Sequence, residues 1–201
     1  MGERGQGLFL SGPLSPNPHK YFFIFWEPGN LILASWCEMK LKSQNLFTPG
    51  RIVAVSVSDR KGEVKHNVDQ ARLVVDHGLA GDAHAEGGIR QVSLLAQSSI
   101  DKMVAAGAKV KPGDFAENLT VEGLPVMDLP VGTRLRVGEA VELEITQIGK
   151  TCHKGCAIRE LVGDCVMPRE GVFARVLKDG LVQPGDSIEV VYVPGGHPDR
   201  K

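Results

Sequence analysis

Cysteine is scarce in this chain. Four in 201 residues, Cys37, Cys152, Cys156 and Cys165, are too sparse for the disulfide framework of a small secreted scaffold and predict a reducing, cytoplasmic setting. Neither sign of charge is in excess: 23 basic residues face 24 acidic ones, a formal net charge of -1. No global field therefore draws the protein to nucleic acid or an anionic membrane, and any anion site has to be local. Long apolar runs are missing too. "YFFIFW" and "LILASW" are split by "EPGN", Glu27 to Asn30, and each falls far short of the roughly 20 apolar residues that span a bilayer. "ASWC" is a poor small-residue cleavage site, which argues against a signal peptide. The chain also lacks the strand, Gly-x-Gly-x-x-Gly and helix of a dinucleotide or flavin site, so any redox chemistry would need an external electron donor.

Aromatic residues are thin after residue 39. Both tryptophans, four of the seven phenylalanines and one of the two tyrosines precede Met39. This break in composition predicts that Met39 is the translation start and that residues 1–46 form a non-domain extension, leaving one domain over 47–195 and a tail over 196–201. From Gly50 onward short β-branched stretches alternate with Gly and Pro turns. "RIVAVSVSD", "ARLVVDH" and "IRQVSLL" read as strands, although the alternation of Ile52, Ala54 and Val57 in the first is loose. "AQSSIDKMVAAG" spaces Ile100, Met103 and Val104 at helical intervals, with Gly107 placed to end the helix. "RLRVGEAVELEITQ" alternates on both sides of Gly138-Glu139 and predicts a half-buried hairpin. "LPVGTRLRV" and "VQPGDSIEV" repeat one turn-into-strand pattern. Several short strands with few helices favour a mainly β fold, a closed or partly closed β-barrel, over a parallel α/β sheet.

The chemistry concentrates in "QIGKTCHKGCAIRE", Gln147 to Glu160. Cys152, His153, Cys156 and Cys165 are four nominal zinc ligands, but Cys165 stands alone instead of forming a second pair. A redox pair is the second reading. Its support is electrostatic, since Lys150 and Lys154 favour a thiolate at Cys152. The third is a single thiolate, Cys152, ligating a soft metal carried by an anionic cofactor. Cys156 and Cys165 then serve as small buried hydrophobes. Anion contacts would come from two Gly-containing loops, "GLAGDAHAEGGIRQVSLL" with Asp82, His84 and Arg90, and "KPGDFAENLTVEGL" with Glu117 and Asn118. Bland roles compete with these: a loop hydrogen bond for His84, capping of neighbouring amides for Glu117, and a salt bridge for Arg175.

In this order, "GLAGDAHAEGGIRQVSLL", "PGDFAENL", "GKTCHKGCAI" and "VMPREGVFARVLKDGLVQPGD" resemble the successive signatures of the MOSC domain, the module named for the C-terminal part of molybdenum cofactor sulfurases. The resemblance runs from about Gly50 to Val193 and is strongest to small stand-alone bacterial members. It implies a β-barrel with a few short helices and binding of the molybdenum cofactor, molybdenum with a pterin. It places Cys152 as the catalytic and metal-ligating residue, and Arg90, Asn118, Lys150, His84 and Glu117 around the cofactor. Lys150 stands where some relatives have arginine.

The implied activity is either a small oxidoreductase acting on N-hydroxylated compounds, with electrons from a donor protein, or a carrier of cofactor or cofactor sulfur on Cys152. The chain has no room for a pyridoxal-phosphate domain, so in the carrier reading that cofactor belongs to a cysteine desulfurase partner. A zinc-stabilised or purely structural partner-binding module is the alternative. Neither nucleic acid nor membrane is expected as a partner.

Overall fold

A computed structural model describes residues 47–151 and 165–195 of the chain. The expected N-terminal extension, the tail, Met39, Cys37, Cys152 and Cys156 lie outside the described residues. Eleven strands are present: β1 Gly50–Val57, β2 His66–Val68, β3 Ala71–Val74, β4 Gly78–Leu79, β5 Val92–Ala96, β6 Leu119–Glu122, β7 Arg134–Val137, β8 Val141–Ile148, β9 Val172–Lys178, β10 Gly180–Val182 and β11 Ser187–Tyr192. The helices among the described residues are α1, Gln97–Ala105, and the single turn α2, Met167–Glu170.

The main sheet runs β11-β7-β8-β9-β5-β6-β1-β2, and β11 pairs back onto β1. Seven strands therefore close into a barrel, with β2 added outside β1, as the strand-rich sequence predicts. Closure removes the unpaired edges that an open sheet would present. A small second sheet, β10-β3-β4, covers one flank and contributes Leu73, Leu79 and Val182 to the same core. No helix among the described residues is long and apolar enough to cross a membrane.

Each strand's sequence accounts for its place. In the predicted hairpin, Leu135 and Val137 on β7 and Val141, Leu143 and Ile145 on β8 are fully buried, while Arg134 and Arg136 face outward. Each such aliphatic side chain contributes about 1.5–3 kcal/mol by leaving water. The outer face is laced by Arg136–Glu189 at 2.6 Å and by Arg175–Glu144 at 2.8 Å, the salt bridge expected for Arg175.

β1 alternates loosely because its register against β6 shifts between Ile52 and Ala54. A bulge there moves the inward set by one residue, so Ile52, Val55 and Val57 share the core and Ala54 does not follow the simple period. β5 is buried on both faces. Val92, Leu94 and Ala96 point into the barrel, whereas Leu95 joins a second cluster with Ile100, Phe115, Cys165, Met167 and Phe173.

α1 provides the crossover between the parallel strands β5 and β6. It buries Ser99 and Ile100, while Val104 is half exposed; the helix packs by a narrower stripe than its spacing predicts. Gly107, at φ +94°, ends it and donates to the Val104 carbonyl at 2.9 Å. The repeated turn is real in the backbone. Thr133 N–H donates to Pro130 O at 3.1 Å and Asp186 N–H to Gln183 O at 3.2 Å, with Gly132 and Gly185 at φ +90° and +96° in the third position. That is type II geometry, and it launches two strands that pair with each other, β7 and β11.

Candidate functional site

The loops between β4 and β5 and between α1 and β6 meet the end of β8 and the start of β9 around a cleft of about 200 Å³. Lys65, His84, Glu86, Arg90, Gln91, Ser93, Asn118 and Lys150 supply its polar wall, and Ala116, Met167 and Phe173 its apolar wall. Four predicted site residues, His84, Arg90, Asn118 and Lys150, are thus brought together from positions up to 66 residues apart in sequence.

The floor is a buried polar network centred on Asp82. Lys65 Nζ donates to Asp82 Oδ2 with both side chains 1% exposed. Asn118 Nδ2 donates to the same oxygen at 2.7 Å, and Asp82 Oδ1 accepts the His84 amide at 2.7 Å. Burial works against both charges of the pair. It lowers the Lys65 pKa, only partly opposed by Asp82. It would also raise the Asp82 carboxyl, but the hydrogen bonds from Lys65, His84 and Asn118 outweigh it and hold Asp82 below the usual carboxylate range.

Asn118 is fully occupied by the fold. Its Oδ1 accepts from Ser93 N–H at 3.1 Å and Ser93 Oγ at 2.9 Å, and its Nδ2 also reaches Ser56 O at 3.2 Å. Asn118 therefore lines the cleft as the tie between β5, β6 and Asp82. His84 Nδ1 lies 3.2 Å from Asp82 Oδ1 and 3.4 Å from Ser58 Oγ. Burial, then the Lys65 charge, lowers its pKa against the opposing pull of Asp82, which keeps the ring neutral at neutral pH.

Glu117 is absent from the cleft lining. The carboxyl is completely buried, and Oε1 accepts Gly113 N–H at 2.6 Å and Thr120 Oγ1 at 3.0 Å, the amide-capping role weighed for it in the sequence. Gly113, at φ +98°, packs so closely on Lys65 that an added Cβ would stand 2.6 Å from Lys65 O, and its own carbonyl accepts Lys65 N–H at 3.0 Å. Glu117 thus supports the loop that holds Lys65.

The upper wall is cationic. Arg90 lies over the Phe173 ring at 5.3 Å and Lys150 over the same ring at 5.9 Å, cation–π distances. Neither side chain has a carboxylate partner among the described residues. Arg90 Nε donates to Gln147 Oε1 at 2.9 Å. Gly149, at φ +67°, makes the corner before Lys150; a Cβ there would meet Pro168 O at 2.5 Å. Its N–H donates to Gly171 O at 2.6 Å.

Cys152 follows Lys150 by two positions and lies outside the described residues, as do His153 and Cys156 of the zinc reading. Cys165 is 5% exposed in the second cluster, in keeping with the packing role expected for it. Among the described residues no group of three or more His, Cys, Asp or Glu side chains could hold a metal.

Sequence reasoning does not single out Lys65, Gln147 or Phe173. Phe173 reads as one more apolar strand residue in "GVFARV", and Lys65 as an ordinary lysine in a turn; only the pairing of β1 with β2 and of β8 with β9 gives them partners. Asp82 is visible as the one acid in "GLAGDAH".

A family model described as the MOSC domain matches residues 81–189, just over half of the chain and all of the cleft except Lys65. No curated protein matches significantly. Among solved structures, YuaD from Bacillus subtilis superposes with a TM-score of 0.59 at 19% identity, covering 71% of this chain and 96% of its own. YiiM from Geobacillus stearothermophilus gives 0.56 at 21% identity, covering 71% of this chain and 75% of its own. YiiM from Escherichia coli gives 0.51 at 22%, with 71% and 70% covered. At these identities the likeness to solved structures shows a shared fold, and together with the family match and the closed barrel it leads to one conclusion: the chain belongs to the MOSC domain family.

Proposed function

We propose that this protein binds the molybdenum cofactor in the cleft and acts through it as a small oxidoreductase on N-hydroxylated compounds, with electrons from an external donor. The observation that carries this reading is the pair of cations, Arg90 and Lys150, set on Phe173 without carboxylate partners among the described residues and, at Lys150, two residues ahead of Cys152. The one acid in the cleft lining, Glu86, is paired with Lys61, so Arg90 and Lys150 suit a phosphate-bearing ligand, and the residues present fit the anionic end of this cofactor. Arg90 and Lys150 would hold that end, and the Cys152 thiolate would ligate the metal, as a soft donor in a basic loop is suited to do.

When bound, the group supplies a metal that accepts an oxygen atom and passes on two electrons. The chain's own part is binding and proton handling. With His84 Nδ1 donating to Asp82, Nε2 is left as an acceptor on a ring that lines the cleft and that Asp82 holds in place. Reduction of an N-hydroxyl group to the amine consumes two electrons and two protons and releases water, and no dinucleotide fingerprint is present to supply the electrons.

The test is expression in a host that makes the cofactor. We expect molybdenum and pterin fluorescence to copurify, and conversion of an N-hydroxylated purine with a chemical reductant but not with NADPH alone, lost in Cys152→Ser. Zinc without pterin would overturn the reading in favour of a structural module. Bound molybdenum with no conversion, and cyanide-releasable sulfur on Cys152 after incubation with a cysteine desulfurase, would replace the oxidoreductase by the carrier.

A further inference from the structure

We infer that Lys61, which is not part of the cleft lining, is a positioning residue for anion binding within the cleft: by pairing with Glu86 it withholds the one acid of that lining from Arg90 and Lys150. The inference rests on the reading above, since only an anionic ligand gains from it. Glu86, Arg90 and Lys150 line one cleft. One negative and two positive side chains in such a space would settle on each other and close it to an anion. They do not. Glu86 Oε2 instead accepts from Lys61 Nζ at 2.9 Å, and Lys61 belongs to the loop between β1 and β2. The Lys61 hydrogen bond, and then its charge, hold the Glu86 carboxyl below its ordinary value. An ionised Glu86 is therefore present at neutral pH, and its partner decides what it does to a ligand.

The backbone around Glu86 is pinned on both sides. Ala83 N–H donates to Ser58 O at 2.8 Å and ties this loop to the residue after β1, while Asp82 O accepts Ala85 N–H at 2.9 Å and Asp82 Oδ1 accepts His84 N–H at 2.7 Å. Beyond Glu86, Gln91 Nε2 donates to Gly88 O at 2.9 Å, and its Oε1 accepts Val176 N–H at 2.9 Å. What is left to choose is the side-chain partner. Lys61 and Glu86 are 60% and 67% exposed, so neither side chain is wedged into the core and both turn on their own torsions. An exposed ion pair contributes little to stability; its effect here is on where one negative charge sits. Paired with Lys61, that charge is neutralised within a single contact. Released, it repels an anion at Arg90 or Lys150, or takes one of those cations for itself, and both outcomes oppose the ligand.

The probe is inorganic phosphate, titrated calorimetrically at low salt and neutral pH into the full chain, Lys61→Gln, Glu86→Gln and the double variant. Lys61→Gln removes the charge and keeps a polar side chain, and should weaken phosphate binding about two- to five-fold, the scale of an exposed charge pair. Glu86→Gln should bind at least as tightly as the native chain. In the Glu86→Gln background the Lys61 substitution should cost less than about 1.5-fold, because the acid it restrains has gone. The difference should fade in about 1 M salt, where the Debye length is about 3 Å. Tm should be the same in all four proteins; a merely structural contact would move Tm and would show no such dependence of one substitution on the other.

An equal loss from Lys61→Gln in both backgrounds overturns the inference, for Lys61 then acts through its own field and not through Glu86. Full binding in Lys61→Gln overturns it as well, and so does a native chain that binds no phosphate. The role of Lys61 and the cofactor reading fail separately. Protein that shows the coupling in phosphate binding yet purifies with zinc and no pterin keeps the first and loses the second, whereas protein that copurifies molybdenum and pterin but shows no coupling in its apo form loses the role of Lys61 alone.

Discussion

Replacing Asp82 by asparagine tests the network beneath the cleft. The Asp82→Asn substitution keeps the side chain's shape and removes the counter-charge of Lys65, whose ammonium is 1% exposed. Leaving a buried charge without its partner costs about 3–5 kcal/mol. The new carboxamide would also offer an N–H₂ group to neighbours that are themselves donors, Asn118 Nδ2 and Lys65 Nζ. The loss should therefore sit at the upper end of that range, a large share of the roughly 5–15 kcal/mol that holds a domain folded. Lys65→Met strands the carboxylate in the same way and should cost a similar amount.

The double variant Lys65→Met/Asp82→Asn leaves no buried charge, so its loss should be smaller than the sum of the singles by about 1–3 kcal/mol. Urea unfolding of the four proteins, with m held constant, gives the cycle. His84 supplies an independent readout in the native state. Its ring pKa, followed by NMR, should rise in Lys65→Met, which removes a lowering charge, and fall further in Asp82→Asn, which removes a raising one. Additive losses in the cycle, or an Asp82→Asn cost under about 1 kcal/mol, would refute the reasoning, because that is the behaviour of a solvated pair.

Three other outcomes are expected. Burial raises the Glu117 pKa above its ordinary 4.5, so the folded state holds this proton where the unfolded chain releases it. The resulting stability is full below pH 4.5 and is lost as pH rises through the folded pKa; Glu117→Gln should flatten that decline in a series of urea midpoints. Gly149→Ala places a Cβ 2.5 Å from Pro168 O at φ +67° and should cost about 2 kcal/mol or more, read in the same urea series. Arg175→Ala breaks only a half-exposed pair with Glu144 and should change stability by less than about 1 kcal/mol in the same assay.

Features settled within a few residues are legible in the chain alone. The alternation in the β7–β8 hairpin, the Gly107 helix stop and the twin type II turns before β7 and β11 are local choices of φ, of side-chain period and of which residues tolerate a left-handed corner. Ordered motifs also disclose the family, and with it His84, Arg90, Asn118 and Lys150 as neighbours. Whatever depends on closure of the barrel is legible only in three dimensions. The β1 bulge turns a loose alternation into a regular inward set, and a shift in the β8–β9 register between Ile145 and Gln147 precedes the Gln147 contact with Arg90. Pairing of β8 with β9 puts Phe173 under two cations, and the loop capped by Glu117 carries Lys65 onto Asp82. A lysine in a turn or a phenylalanine in a strand has no distinguishing period or spacing of its own. Its role arises from the partner that a long-range register brings within a few ångströms.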